Sequence, residues 1–168
     1  MKKLFTLFTF LVTLMSTWAY DFEAGGLFYN ILSDSIPYTA EVTSHPGFPY
    51  DESITSITIP EQVKYGGITY TIKAIGSSAF ASCHKLSAVT IPNTITSIGS
   101  YAFKDCLSLA AITIPNSVVS IKDDAFANSG IYNEESNWED SVLYISNCLI
   151  QAKQGATGAY VIKDGTRL

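Results

Sequence analysis

Three near-identical strings set the terms for this chain. IGSSAF begins at Ile75, IGSYAF at Ile98 and IKDDAF at Ile121, 23 residues apart both times. The residues around them keep the same step. Phe80, Phe103 and Phe126 align, as do Ala79, Ala102 and Ala125, and Leu86 with Leu109. Cys83 aligns with Cys106, and Ser129 stands third. Residues 89–93 (VTIPN) match 112–116 (ITIPN). A fixed period of this length predicts a repeat architecture, because one such unit cannot bury its own apolar edge and has to stack on its neighbours. Parallel strands in the stack would lie about 4.8 Å apart. Equivalent side chains would then form ladders, one of Phe80, Phe103 and Phe126 and another of Ile75, Ile98 and Ile121.

Within one unit, Val89 and Ile91 alternate with Ala88 and Thr90, the two-residue period of a half-buried strand. Pro92 cannot donate to a ladder and ends it. Residues 95–98 predict a second, shorter extended piece, Gly99 a turn, and residues 101–103 one helical or 3₁₀ turn. Residues 54–60 (ITSITIP) are an earlier partial copy. Pro60 lies 15 residues before Ile75, where later copies have six. The nine extra residues include Tyr65-Gly66-Gly67, a turn signal that predicts an inserted hairpin.

The ends break the period. Residues 20–53 carry two extended stretches, 26–32 and 38–43, and predict a β-meander that caps the first coil. Residues 54–132 hold the repeats. Residues 133–168 read as an irregular copy: an acidic loop (133–140), two apolar runs joined at Ser146-Asn147, and a degenerate strand at 160–165. The stop at Leu168 falls one residue short of the next expected isoleucine and predicts a truncated end.

The first 19 residues belong to a different kind of segment. Lys2 and Lys3 precede an apolar run from 4 to 15, and small residues stand at Thr17 and Ala19. That pattern predicts a secretory signal peptide cleaved after Ala19. The run is well below the roughly 20 residues of a spanning helix, and no later stretch reaches that length. Without Lys2 and Lys3, 8 basic residues face 15 acidic ones. An acidic chain lacks the positive face that nucleic-acid binding needs.

At this point the residues resemble a known family. The run from Ile91 to Ile121 is similar to the BspA-type leucine-rich repeat, also called the Treponema pallidum type, with its pattern C-x-x-L-x-x-[IV]-x-[IV]-P-x-x-[IV]-x-x-I-G-x-x-A-F. The match spans residues 54–129, with Ser129 and Lys122 as departures. Residues 20–31 resemble the leader of secreted Bacteroidetes members. The resemblance implies a leucine-rich-repeat solenoid of short parallel strands, right-handed and exported or displayed at the cell surface. It also implies an adhesive role toward host or neighbouring-cell proteins, and it brings no catalytic residues.

Candidate site residues follow from the alternation. Ser56, Thr58, Ala88, Thr90, Ala111 and Thr113 should face outward as a flat, small, polar stripe. Such residues suit a strand surface in any case, or they form a docking face. Tyr132, Trp138 and Tyr144 on the rebuilt segment are the aromatic contact candidates, for a protein or for a glycan platform built on Trp138 and Tyr132; alternatively they close the irregular coil. A structural spacer within a larger adhesin is the remaining reading. Cys83 and Cys106 are expected as buried thiols rather than a disulfide, because stacked side chains point the same way. Cys148 is expected to be buried as well. His45 and His84 read as surface residues, and the acidic pairs at 123–124, 134–135 and 139–140 as solvated loops. No spacing matches a metal site, a nucleophile elbow or a phosphate loop, so no cofactor, metal or catalytic residue is expected.

Overall fold

The computed structural model describes residues 20–152 except 46, 48, 49, 51, 52, 140 and 147. The expected signal peptide and the degenerate strand at 160–165 lie outside the described residues. The chain begins with β1 (Phe22–Ala24), β2 (Leu27–Ser33) and β3 (Thr39–Thr43), an antiparallel meander. β4 (Ser56–Thr58) follows, then the hairpin of β5 (Gln62–Tyr65) and β6 (Ile68–Ile75). The repeats contribute β7 (Ala88–Thr90), β8 (Ser97–Ile98) and β9 (Ser120–Ile121). A single helical turn, α1 (Gly130–Asn133), leads through a 3₁₀ turn (Glu135–Asn137) to β10 (Trp138–Glu139), β11 (Val142–Ile145) and β12 (Cys148–Ala152). Among the described residues the architecture is strands and turns with almost no helix, and no sheet closes into a barrel.

The expected elements appear where turn chemistry allows them. Gly25-Gly26 and Gly66-Gly67 all have positive φ (60°, 78°, 57° and 82°), so two-residue turns close both hairpins with the twist their strands need. β6 alternates: Tyr70, Ile72 and Ala74 are buried, and Thr69, Thr71 and Lys73 are not. Its outer half pairs with β5, while its last residues continue in parallel to β8 (Ala74↔Ser97, Ile75↔Ile98) and then to β9 (Ile98↔Ile121). On the other flank β3 pairs in parallel with β6, bringing Val42 beside Ile75.

Equivalent residues of successive copies lie side by side. Phe80, Phe103 and Phe126 are at most 1% exposed and stack with centroids 5.5 and 5.3 Å apart. Backbone bonds follow the same rungs: Phe80 N–H donates to Ala102 O (2.8 Å) and Phe103 N–H to Ala125 O (2.7 Å). Gly99 sits against the preceding copy so closely that a Cβ would meet Ser77 N at 2.5 Å. Leu86, Leu109, Ile95 and Ile98 complete the dry interior.

Two expectations change. The turn at 101–103 is not helical. Hydrogen-bonded turns follow one another instead, separated by left-handed residues at Ser78, Tyr101 and Asp124 and again at Ser82, Asp105 and Asn128, with φ between 54° and 59°. A run of helix needs every φ negative, so these corners stop it from propagating. The stack also does not begin at Phe80. Tyr50 lies over it at 5.4 Å, and its hydroxyl accepts from Phe28 N–H (3.1 Å) and donates to Thr43 O (2.7 Å), tying the phenylalanine row to the meander.

The departure at Ser129 has a physical cause. Its hydroxyl accepts from Tyr132 N–H (3.2 Å) and caps α1, a role the cysteine of the earlier copies does not fill. Gly130 then passes under the previous copy, where a Cβ would meet Leu107 O and Leu109 O at 2.8 Å. The chain leaves its earlier path here and returns as the β10–β11–β12 sheet.

Candidate functional site

β4 and β7 form a separate two-stranded parallel sheet, with Ser56 opposite Ala88 and Thr58 opposite Thr90. These four residues are exposed, and Ile57 between them is buried. Ala111 and Thr113 are exposed too, but residues 110–114 join no ladder. The turn that follows them supplies α1 rather than a strand, and Ile131 N–H donates to Leu109 O (2.7 Å). The stripe is therefore a two-strand ladder with an unpaired extension. It carries hydroxyls and methyls and no ionisable group.

The aromatic candidates divide. Tyr132 and Trp138 meet edge to face, with centroids 5.1 Å apart and planes at 88°, and the indole N–H donates to Tyr132 O (2.7 Å). Both are half-buried, and the pair interlocks rather than forming one flat platform. Tyr132 occupies the position of Leu86 and Leu109, one period on. Tyr144 points elsewhere. It lines a groove of about 140 Å³ with Ala110, Ala111, Ile112 and Ile145, so one residue of the stripe and one of the rebuilt segment share a surface.

Two further grooves were not foreseen in the sequence. They run beside β4, of about 300 and 260 Å³, and share Gly25, Leu27 and Thr58. The first is walled by Gly25 and by Val63 and Lys64 of the inserted hairpin, the second by the Gly25-Gly26 turn and Ile54. The signal available was the pair of turn motifs; what it lacked was any sign that the Gly25-Gly26 turn and the β5 strand of the inserted hairpin both flank β4.

The groups with altered ionisation lie in the core. Burial pushes the Cys83 thiol up to about 11 and the Cys106 thiol up to about 12. Burial likewise raises the Tyr29 hydroxyl to about 12 and the Tyr50 hydroxyl further. Cys83 and Cys106 are unbridged, and the Cys106 thiol donates to Phe80 O (3.1 Å). Cys148 is buried. Thiols held neutral in this way are poor nucleophiles. Glu134, Glu135, Glu139 and Asp123 are exposed and Asp124 half-buried; Asp140 lies outside the described residues. His84 is exposed and His45 half-buried, its ring edge-on against Phe28 at 4.8 Å and its Nδ1 accepting from Gly47 N–H. Among the described residues no three His, Cys, Asp or Glu side chains converge, and no helix is long and apolar enough to cross a membrane.

A family profile for the BspA type leucine rich repeat region matches residues 47–153 in six copies. The chain belongs to the BspA-type leucine-rich repeat family. Among solved structures, this BspA-type chain resembles a leucine-rich repeat protein of Bacteroides ovatus, with 31% identity and a TM-score of 0.57. The alignment covers 67% of this chain and 28% of that one, so this chain spans little more than a quarter of its relative. A leucine-rich repeat protein of Bacteroides capillosus is 26% identical, with a TM-score of 0.48, over 67% of this chain and 94% of that one. The leucine rich repeat protein of Treponema pallidum is 18% identical, with a TM-score of 0.41, over 67% and 68%. No curated protein matches the chain.

Proposed function

We propose that this chain is an exported, non-catalytic adhesion module that binds an extracellular protein of a host or a neighbouring cell. In this reading the 23-residue copies form a solenoid, residues 20–53 cap it, 54–132 are its repeats, and 133–168 rebuild its last turns. Residues 1–19 direct export and are removed by cleavage after Ala19. Membership of a repeat-scaffold family supports a binding role. The observation that carries the reading is the exposed ladder of Ser56, Thr58, Ala88 and Thr90: a flat surface without ionisable chemistry, built on stacked copies, suits docking rather than catalysis. Ala111 and Thr113 extend this surface toward Tyr144.

The test is a binding screen of residues 20–168 against extracellular-matrix proteins and glycans. We expect retention of a protein, lost about tenfold or more in a Thr58→Arg/Thr90→Arg variant, because two long charged chains block a small-residue face. Trp138→Ala should leave that binding intact. Glycan retention that depends on Trp138 would overturn the reading in favour of a sugar-binding module, and silence across both sets would favour a structural spacer. N-terminal sequencing of the exported chain should begin at Tyr20.

A further inference from the structure

Among the described residues β4 pairs with β7 along one edge only. Ala88 N–H donates to Thr55 O (3.2 Å) and Ile59 N–H donates to Thr90 O (3.1 Å), which sets the phase of the β4–β7 ladder. In parallel pairing, alternate residues bond to the same neighbour. Ile57 therefore serves β7, while the N–H and C=O groups of Ser56 and Thr58 point the other way. No strand lies on that side among the described residues. No strand of the meander pairs with β4, because β1, β2 and β3 all belong to the other sheet. The two unforeseen grooves lie along this second edge, with the Gly25-Gly26 turn as wall, and exposed Lys64 is the charged side chain lining the one of about 300 Å³.

We propose that this edge takes up an extended peptide segment of another protein as an added strand, with an acidic side chain of that segment beside Lys64. The inference rests on the protein-binding role above and adds its mode and the chemistry of the partner. A row of outward N–H and C=O groups at strand spacing is complementary to a second extended backbone. Lys64 sets the preferred charge. A second copy of this chain fits less well. Its own β4 edge is flanked by its own Gly25-Gly26 turn, so bringing two such edges to the roughly 4.8 Å of a ladder would set one turn against the other.

The probe is an acetylated hexapeptide of alternating valine and threonine that carries one aspartate. It is added to the full chain, purified after export, and amide hydrogen exchange is read by NMR. Exchange at Ser56 and Thr58 should slow about tenfold or more, while Ile57, already bonded to β7, changes little. A twin peptide methylated on alternate backbone nitrogens should neither bind nor slow them. Lys64→Glu should weaken the aspartate peptide about two- to fivefold, the size of an exposed ion pair. Thr58→Pro removes the outward N–H and should abolish binding; edge strands tolerate proline, and if that variant does not fold, the methylated twin on the unaltered chain decides. Equal binding of both peptides overturns the proposal. So does binding without slowing at either amide, or slowing that rises with protein concentration in the absence of peptide. A screen partner that leaves Ser56 and Thr58 exchanging freely refutes the added strand and keeps the adhesive role. Slowing by the hexapeptide in a chain that retains no protein does the reverse.

Discussion

Phe103 lies between Phe80 and Phe126, whereas Phe28 lies among Tyr20, His45 and Tyr50. Between residues 75 and 129, the phenylalanines meet copies of themselves, and backbone bonds between copies run to the residue before the equivalent one, as from Phe80 N–H to Ala102 O and from Phe103 N–H to Ala125 O. In the meander and the rebuilt segment, contacts join unlike residues, and backbone bonds run across antiparallel hairpins. The first region is held by repetition, so each position inherits its environment from its spacing. The second is held by individual pairings, each of which has one solution. Tyr50 and Ser129 stand at the two joints. Tyr50 packs on the end of the phenylalanine row and Ser129 takes the position of Cys83 and Cys106, and each adds a hydroxyl that binds non-repeating backbone.

The largest test of this contrast is Phe103→Ala. Both neighbours in the row lose their packing surface, and we expect a loss of about 3–5 kcal/mol, read from urea unfolding. Tyr50→Phe keeps the ring in the row but strips the joint. Phe28 N–H and Thr43 O then lie buried without their partner, at a cost of about 1–3 kcal/mol in the same assay. A loss as large as that of Phe103→Ala would mean that the joint, not the row, dominates stability.

Alkaline titration separates the regions in another way. Below the ordinary thiol value of 9.0 both folded and unfolded chains hold the Cys83 and Cys106 protons, and stability is unaffected by them. Between about 9 and 12 the unfolded chain releases protons that the folded chain keeps, so stability falls as pH rises. The melting temperature should begin to drop near pH 9, and Cys83→Ala/Cys106→Ala should delay the onset toward the ordinary tyrosine value of 10.0, where Tyr29 and Tyr50 take over. An onset unchanged by the double variant would place the titrating groups outside the repeats. The smallest effect belongs to Thr94 and Ser117, equivalent residues whose hydroxyls are buried without a partner. Thr94→Val and Ser117→Ala should shift stability by no more than about 1 kcal/mol, in the stabilising direction, by calorimetry. A clear loss would reveal a bound water between copies.

The contrast also marks what could be read from residues alone. The phenylalanine row, the hairpin at Gly66-Gly67, the hairpin turn at Ser146 and the exposed stripe all follow from local pattern. The left-handed corner at Tyr101 does not. Tyrosine is not a residue type that favours positive φ, and close bonding between copies imposes the conformation. Trp138 was legible as an aromatic on a non-repeating loop, yet its bond to Tyr132 O was not, because nothing in the spacing links the two.

By itself the amino-acid order determined which residues are equivalent and which face each one presents. A constant step returns the chain to the same point of the turn, so equivalent side chains must share an environment once the copies stack. Only the tertiary structure decided how the unlike segments meet: that β3 pairs with β6 while β4, among the described residues, pairs with β7 alone, that Tyr50 extends the phenylalanine row, and that Tyr144 and Ala111 line one groove. Those contacts join segments with no common period, so their geometry depends on packing in three dimensions.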